Sequence, residues 1–234
     1  MTQRLRFLLT ALAIATLTTG ITLLLLTLID HRLDLPEVLR FDLGLQARIH
    51  SSASPPLTQI MLAFTWIGSI KIFATALAIA IVWLLFRDGL HDAVLLGTAI
   101  TGAFILNQTL KVHFHRLRPQ VPWSIGDEHT FSFPSGHSLF AVVFYGTLAW
   151  CALHRHTDTR RRFAILVPAI LMMFSIGISR IYLGMHYPTD VAAGWLTGTL
   201  WLSAVIAIDL RWHRLLHRHK GGGSTPTHPS PPRR

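Results

Sequence analysis

Long apolar runs alternate with short polar connections along this chain. Residues 7–29, 93–110, 138–153, 163–179 and 191–208 carry no charged side chain. Each approaches the roughly 17–25 residues that cross a bilayer as a helix. A sixth run, 72–86, is shorter, but Lys71 at its edge can snorkel and extend it backwards. The pattern therefore predicts an all-α membrane protein with six transmembrane helices. Residues 57–70 form a further apolar stretch, expected in or near the membrane interface ahead of the second span, with "TWIGS" marking a break. Before it, the polar segment 30–56 is expected to carry a surface helix whose Leu33, Leu35, Val38 and Leu39 touch the membrane.

Composition removes the soluble alternative. Hydrophobic residues make up 51% and charged residues 14% of the 234, and the mean hydropathy is +0.45. An average soluble domain carries about 25% charged residues. The first run follows a basic Arg4 and Arg6, as a secretory signal would. It is longer than the usual hydrophobic region of about 7–15 residues, and no A-x-A-like cleavage site follows promptly, so it reads as a span.

A net charge of +10 raises the possibility of nucleic-acid binding, but position decides otherwise, because the basic residues flank spans instead of forming a soluble basic face. With the N-terminus inside and the far tail set aside, eleven lie on inner segments: Arg4, Arg6, Arg87, Arg155, Arg160, Arg161, Arg162, Arg211, Arg214, Arg218 and Lys220. Eight lie on outer ones: Arg32, Arg40, Arg48, Lys71, Lys111, Arg116, Arg118 and Arg180. The excess lies inside, as the positive-inside rule requires. The expected location is the inner (cytoplasmic) membrane, with both termini cytoplasmic. Cys151, the single cysteine, leaves no intrachain disulfide.

Three parts are expected: 1–56 with the first span and the outer polar segment, a five-span core over 57–210, and a basic juxtamembrane stretch with a disordered tail over 211–234. The tail from 221 onward has the composition of a flexible linker. Neither an internal repeat nor a separate soluble domain is evident, so function belongs to the bundle and its outer loops.

Three polar blocks fall at the ends of spans on one side, the extracytoplasmic one. They are "KVHFHRLRP" with Lys111 and Arg118, "PSGH" from Pro134 to His137, and "SRIYLGMHYPTD" with Arg180, His186 and Asp190. Lys111, Arg118 and Arg180 supply three cations, about what a phosphate dianion needs while it is transferred. Ser135 and the backbone N–H of Gly136 add donors at a helix mouth. Two histidines remain, and phosphoryl transfer through a covalent intermediate uses two: one attacks phosphorus, the other protonates the departing oxygen. His186 and Asp190 are four apart, with Pro188 at a plausible first helical position, so the carboxylate can hold one ring nitrogen and free the other. His186 is thus the expected nucleophile and His137 the expected general acid.

Other polar positions carry less. Asn107 and Gln108 are placed to support Lys111 or to bond between helices. The pairs His113/His115, His154/His156 and His213/His217 have spacings compatible with a metal, but each lies in a basic stretch without a carboxylate or thiolate cluster, and no metal site is expected there.

K-x6-R-P, P-S-G-H and S-R-x5-H-x3-D are the signature blocks of the type 2 phosphatidic-acid phosphatase superfamily, and the chain closely resembles its bacterial integral-membrane members over roughly 57–209. The resemblance implies a phosphatase that needs no metal or other cofactor, with a phosphohistidine at His186, Asp190 assisting, His137 as acid, and Lys111, Arg118, Ser135, Gly136 and Arg180 around the phosphate. Its partners would be the bilayer and a lipid phosphate: phosphatidate, phosphatidylglycerol phosphate or undecaprenyl diphosphate. Two alternatives share related blocks. Vanadium haloperoxidases are soluble relatives, unlike this chain. A non-catalytic lipid-binding or transport protein on the same fold would be expected to lose a histidine, and both are present.

Overall fold

The structure, a computed structural model, describes residues 3–33, 35–87, 89–125 and 130–221. These form eight helices: α1 (Gln3–Leu33), α2 (Pro36–His50), α3 (Pro55–Ile67), α4 (Ile70–Phe86), α5 (Leu90–Phe114), α6 (Gly136–Leu153), α7 (Thr159–Tyr182) and α8 (Pro188–Gly221). Five of them, α1, α5, α6, α7 and α8, are each long and apolar enough to cross a membrane. The pair α3 and α4 qualifies only together, bent by 57°. Counting that pair as one span gives the six that the apolar runs predict. The bend falls at Gly68 and Ser69, inside "TWIGS", so α3 continues the short second run more than a snorkelling Lys71 does.

α6 is the hub of the bundle, packed by α5, α7 and α8 and burying residues around most of its circumference. The approach of α8 depends on small residues. A Cβ on Gly194 would lie 2.5 Å from the Ser135 carbonyl oxygen, and one on Gly198 would lie 2.9 Å from that of Leu139. Lipid tails are as apolar as leucine, so such close backbone packing is what holds membrane helices together. The outer faces expose Leu12, Leu24, Trp83, Phe86, Phe163 and Leu171. Apolar area of this extent suits lipid, not water.

The polar segment after α1 does form a helix, α2, but its orientation corrects the expectation of a simple membrane-surface helix. Leu33 is buried in a cluster with Leu26, Leu110 and Phe133, and Val38 packs against it. Leu35 and Leu39 do face outward. The reason is polar: Asp42 and Gln46, four apart on one face, are fully buried against the rest of the bundle, and the hydrogen bonds that a buried polar group requires fix the helix in that sense.

At the other end, α8 runs unbroken through the basic stretch to Gly221; the linker expected beyond it, 222–234, lies outside the described residues. A second correction belongs here. His213 does have a carboxylate neighbour, because one helical turn places it beside Asp209, which His91 of α5 also contacts at 2.6 Å.

Candidate active site

Four helix ends converge on one side of the bundle: the C-termini of α5 and α7 and the N-termini of α6 and α8. α7 closes in a Schellman turn, in which Gly184 N–H donates to the Ile181 carbonyl and Met185 N–H to that of Arg180, each at 3.0 Å. Gly184 has φ +73°, a left-handed conformation that a side chain would strain. The His186 N–H shares the Arg180 carbonyl at 3.2 Å, so the turn itself delivers His186 to the site. Pro188 opens α8 at a position where no backbone donor is needed. Asp190, in the first turn, reaches back to accept from the Tyr187 N–H at 3.0 Å, as a capping carboxylate does.

Asp190 is fully buried and serves several donors at once. Its Oδ1 accepts from Arg116 Nη1 at 2.6 Å; its Oδ2 accepts from Ser132 Oγ and lies 3.3 Å from His186 Nδ1. On the far side of the imidazole, Arg118 Nη1 lies 3.2 Å from Nε2. A guanidinium can only donate, so Nε2 is the acceptor and the neutral ring, as assigned from this network, carries its proton on Nδ1 toward Asp190. That tautomer leaves the unprotonated lone pair on Nε2, facing Arg118.

The remaining expected residues surround this pair. Arg118 also donates to the Met185 carbonyl at 2.8 Å and to the Thr130 hydroxyl at 3.0 Å, and Lys111 Nζ donates to the same hydroxyl at 3.3 Å. Two of the three expected cations thus meet at one threonine. The third, Arg180, is buried and donates from Nη1 to Thr65 Oγ1 of α3 at 2.7 Å. Ser135 precedes α6 and donates its N–H to the Asp190 carbonyl at 3.0 Å, while its side-chain oxygen accepts from Ser138 Oγ. Gly136 lies beside the Asn107 amide, which donates to Gln108 on its own helix. His137, half-buried, presses on the α3–α4 bend, where a Cβ on Gly68 would come within 2.8 Å of its Cδ2.

Several residues of this network were not read from the sequence. Arg116 bridges two buried carboxylates, donating to Asp42 Oδ2 at 2.9 Å as well as to Asp190. Burial alone would lower the pKa of its guanidinium, but Asp190 and Asp42 outweigh that and hold it above its ordinary value. Asp42 also accepts from the Thr189 N–H at 3.0 Å, and Gln46 Nε2 donates to the His186 carbonyl at 3.0 Å. Arg116 stands in an unspecified position of the first block and Ser132 three residues before Ser135. Only the i, i+4 pairing of Asp42 with Gln46 offered a signal for α2.

The family model of the PAP2 superfamily matches residues 92–214. Phosphatidylglycerophosphatase B of Bacillus subtilis (strain 168) is 30% identical over 156 residues, covering 66% of this chain and 76% of that protein. The chain belongs to the PAP2 superfamily. A crystal structure of a transmembrane PAP2-type phosphatidylglycerolphosphate phosphatase from Bacillus subtilis is similar with a TM-score of 0.74 at 26% identity, covering 83% of this chain and 96% of that one. An undecaprenyl-diphosphatase of Sulfolobus acidocaldarius is 29% identical over 126 residues, covering 51% of this chain and 56% of that protein. With such relatives, this PAP2 protein is a phosphoric ester hydrolase of the membrane lipid phosphatases. All eight expected site residues fall within the matched PAP2 segment; Asp42, Gln46 and Thr65 fall before it.

Proposed function

We propose that the protein cleaves phosphate mono- or diphosphate esters of membrane lipids through a phosphohistidine on His186. The observation that carries this reading is the imidazole held between Asp190 at Nδ1 and Arg118 at Nε2. A substrate phosphoryl group takes over the Arg118 donor, and its oxygens are neutralised by Lys111, Arg118 and Arg180 and by the N–H groups at the mouth of α6. Nε2 attacks phosphorus while the P–O bond to the lipid breaks, and His137 gives its proton to the leaving oxygen. Water then attacks the phosphohistidine, His137 accepts the water's proton, and inorganic phosphate leaves. Asp190 and Ser132 hold the ring throughout, with Asp190 stabilising the charge that develops on it.

The substrate is a lipid phosphate such as phosphatidate, phosphatidylglycerol phosphate or undecaprenyl diphosphate. The names of the similar proteins favour the last two. The site faces the extracytoplasmic side of the inner membrane, a reading supported by the excess of basic residues on the opposite segments. Rapid quench with labelled substrate tests the chemistry. The wild type should trap acid-labile, base-stable label, and His186→Ala should trap none with any substrate. Label retained on His186→Ala would assign the nucleophile elsewhere.

A further inference from the structure

We propose that the end of the bundle opposite the phosphate site binds a divalent transition-metal ion of the zinc type on His91, Asp209 and His213. This site is separate from the one above, because Asp209 lies nineteen residues after Asp190 on the same helix, about 28 Å along its axis. One ligand atom from each of the three residues falls within 4.8 Å of the others. His91 Nε2 is 2.6 Å and His213 Nδ1 3.5 Å from Asp209 Oδ1. Tetrahedral zinc with bonds near 2.0–2.1 Å places its ligands roughly 3.3 Å apart, so shifts of about an ångström suffice.

The three residues differ in a way that suits a metal. The Asp209 side chain is 1% exposed and fixed, since Trp150 Nε1 donates to its Oδ2 at 2.9 Å and leaves Oδ1 for the ion. Outer-shell bonds of this kind orient metal-binding carboxylates. The two imidazoles are about two-fifths exposed and free to turn toward it, His213 giving up its 3.0 Å contact with the Asp209 carbonyl oxygen. Among the described residues, these two histidines are the ion-pair partners of Asp209. Two imidazole nitrogens and one carboxylate oxygen are a donor set that a zinc-type ion takes. The nearby Arg155 does not oppose it, because its guanidinium is paired with Asp92 at 2.6 Å. The three residues line a cavity of about 390 Å³, which gives the ion an entry path and room for water at its fourth position. Bound there, the ion ties the start of α5 to the end of α8.

The test uses full-length protein in detergent, freed of any affinity tag and titrated with Co²⁺ and Zn²⁺. Wild-type protein should bind one equivalent with the visible spectrum of tetrahedral cobalt, displaced by zinc, and zinc should raise its unfolding midpoint. His91→Ala and His213→Ala should each lower affinity by more than about 100-fold, and Trp150→Phe, which frees only the outer carboxylate oxygen, by about 10–100-fold. His91→Ala should keep the rate of phosphate release, because His91 lies at the opposite end of the bundle from the phosphate site, and zinc should no longer raise its unfolding midpoint. Binding undiminished in the His91→Ala/His213→Ala double variant would place the ion elsewhere on the chain, and absence of saturable binding in the wild type would show that no such site exists. Either outcome overturns the proposal.

Discussion

Arg116 shows what a single buried side chain contributes to this site through its neighbours. Its planar fork is suited to bridging two carboxylates, one from α2 and one from α8, and the guanidinium carbon sits 4.2 Å over the Tyr187 ring. Removing it leaves Asp42 and Asp190 buried with like charge and no common cation. Arg116→Gln should therefore cost about 3–5 kcal/mol of stability, the usual consequence of breaking a buried pair. Its residual activity should show a lower kcat with little change in KM, because Asp190 loses the bond that orients it against His186. Arg116→Lys should recover part of the stability but less of kcat, since a point charge does not reproduce the fork. Chemical denaturation and steady-state kinetics on the three proteins test this; an Arg116→Gln variant as stable and as active as the wild type would show that the bridge is idle.

At the scale of elements, the broken second span meets the proposed acid, His137, at Gly68. A Cβ there would meet His137 Cδ2 and Ile176 Cγ2, both at 2.8 Å, so the bend can approach α6 and α7 only without a side chain. Gly68→Ala should displace the His137 ring and reproduce a weaker form of the defect expected for His137→Ala: a rate loss on a lipid phosphate, and much less on an aryl phosphate, whose leaving group departs without a proton. An equal loss on both substrates would mean that the bend shapes the binding site and does not position the acid. This dependence also explains what was legible beforehand. The spans, the break and the three polar blocks are local patterns, readable from runs and spacings of one segment at a time. Asp42, Gln46, Arg116 and Thr65 act through contacts between residues 70 or more positions apart, and an isolated Asp in a polar segment looks the same whether it faces water or Arg116. The surface-helix reading of α2 was incomplete for that reason: Leu35 and Leu39 on its exposed face carried the visible pattern, while two buried polar residues decided its orientation. His213 was misread likewise, because its carboxylate partner Asp209 stands alone just past the uncharged run 191–208 and was not set beside the histidines of the basic stretch.

Across the whole molecule, the phosphate site and the His91–Asp209–His213 cluster occupy opposite ends of α8, and orientation in the membrane assigns each to a compartment. The charge asymmetry of the connecting segments predicts that a reporter fused after Lys220 gives a cytoplasmic signal, which places the phosphate site outside. A periplasmic signal there would invert both assignments. Separation of the two ends also determines how the protein should respond to a chelator. At the phosphate end, fixed cations on Lys111, Arg118 and Arg180 are proposed to stabilise the transferring phosphoryl group, the electrostatic task that a metal ion performs in other phosphatases. Stripping divalent ions should thus leave the initial rate on a lipid phosphate unchanged while lowering the unfolding midpoint, because an ion at the far end would contribute to stability but not to the reaction. Vanadate, which adopts the five-coordinate geometry of the transferring group, should inhibit the same preparation. Phosphate release measured below the unfolding transition, with and without chelator, distinguishes the two roles. If chelation abolished the rate and a divalent ion restored it, the metal-independent mechanism would be wrong; if the same restoration occurred in the His91→Ala/His213→Ala variant, the required ion would belong to the phosphate site itself.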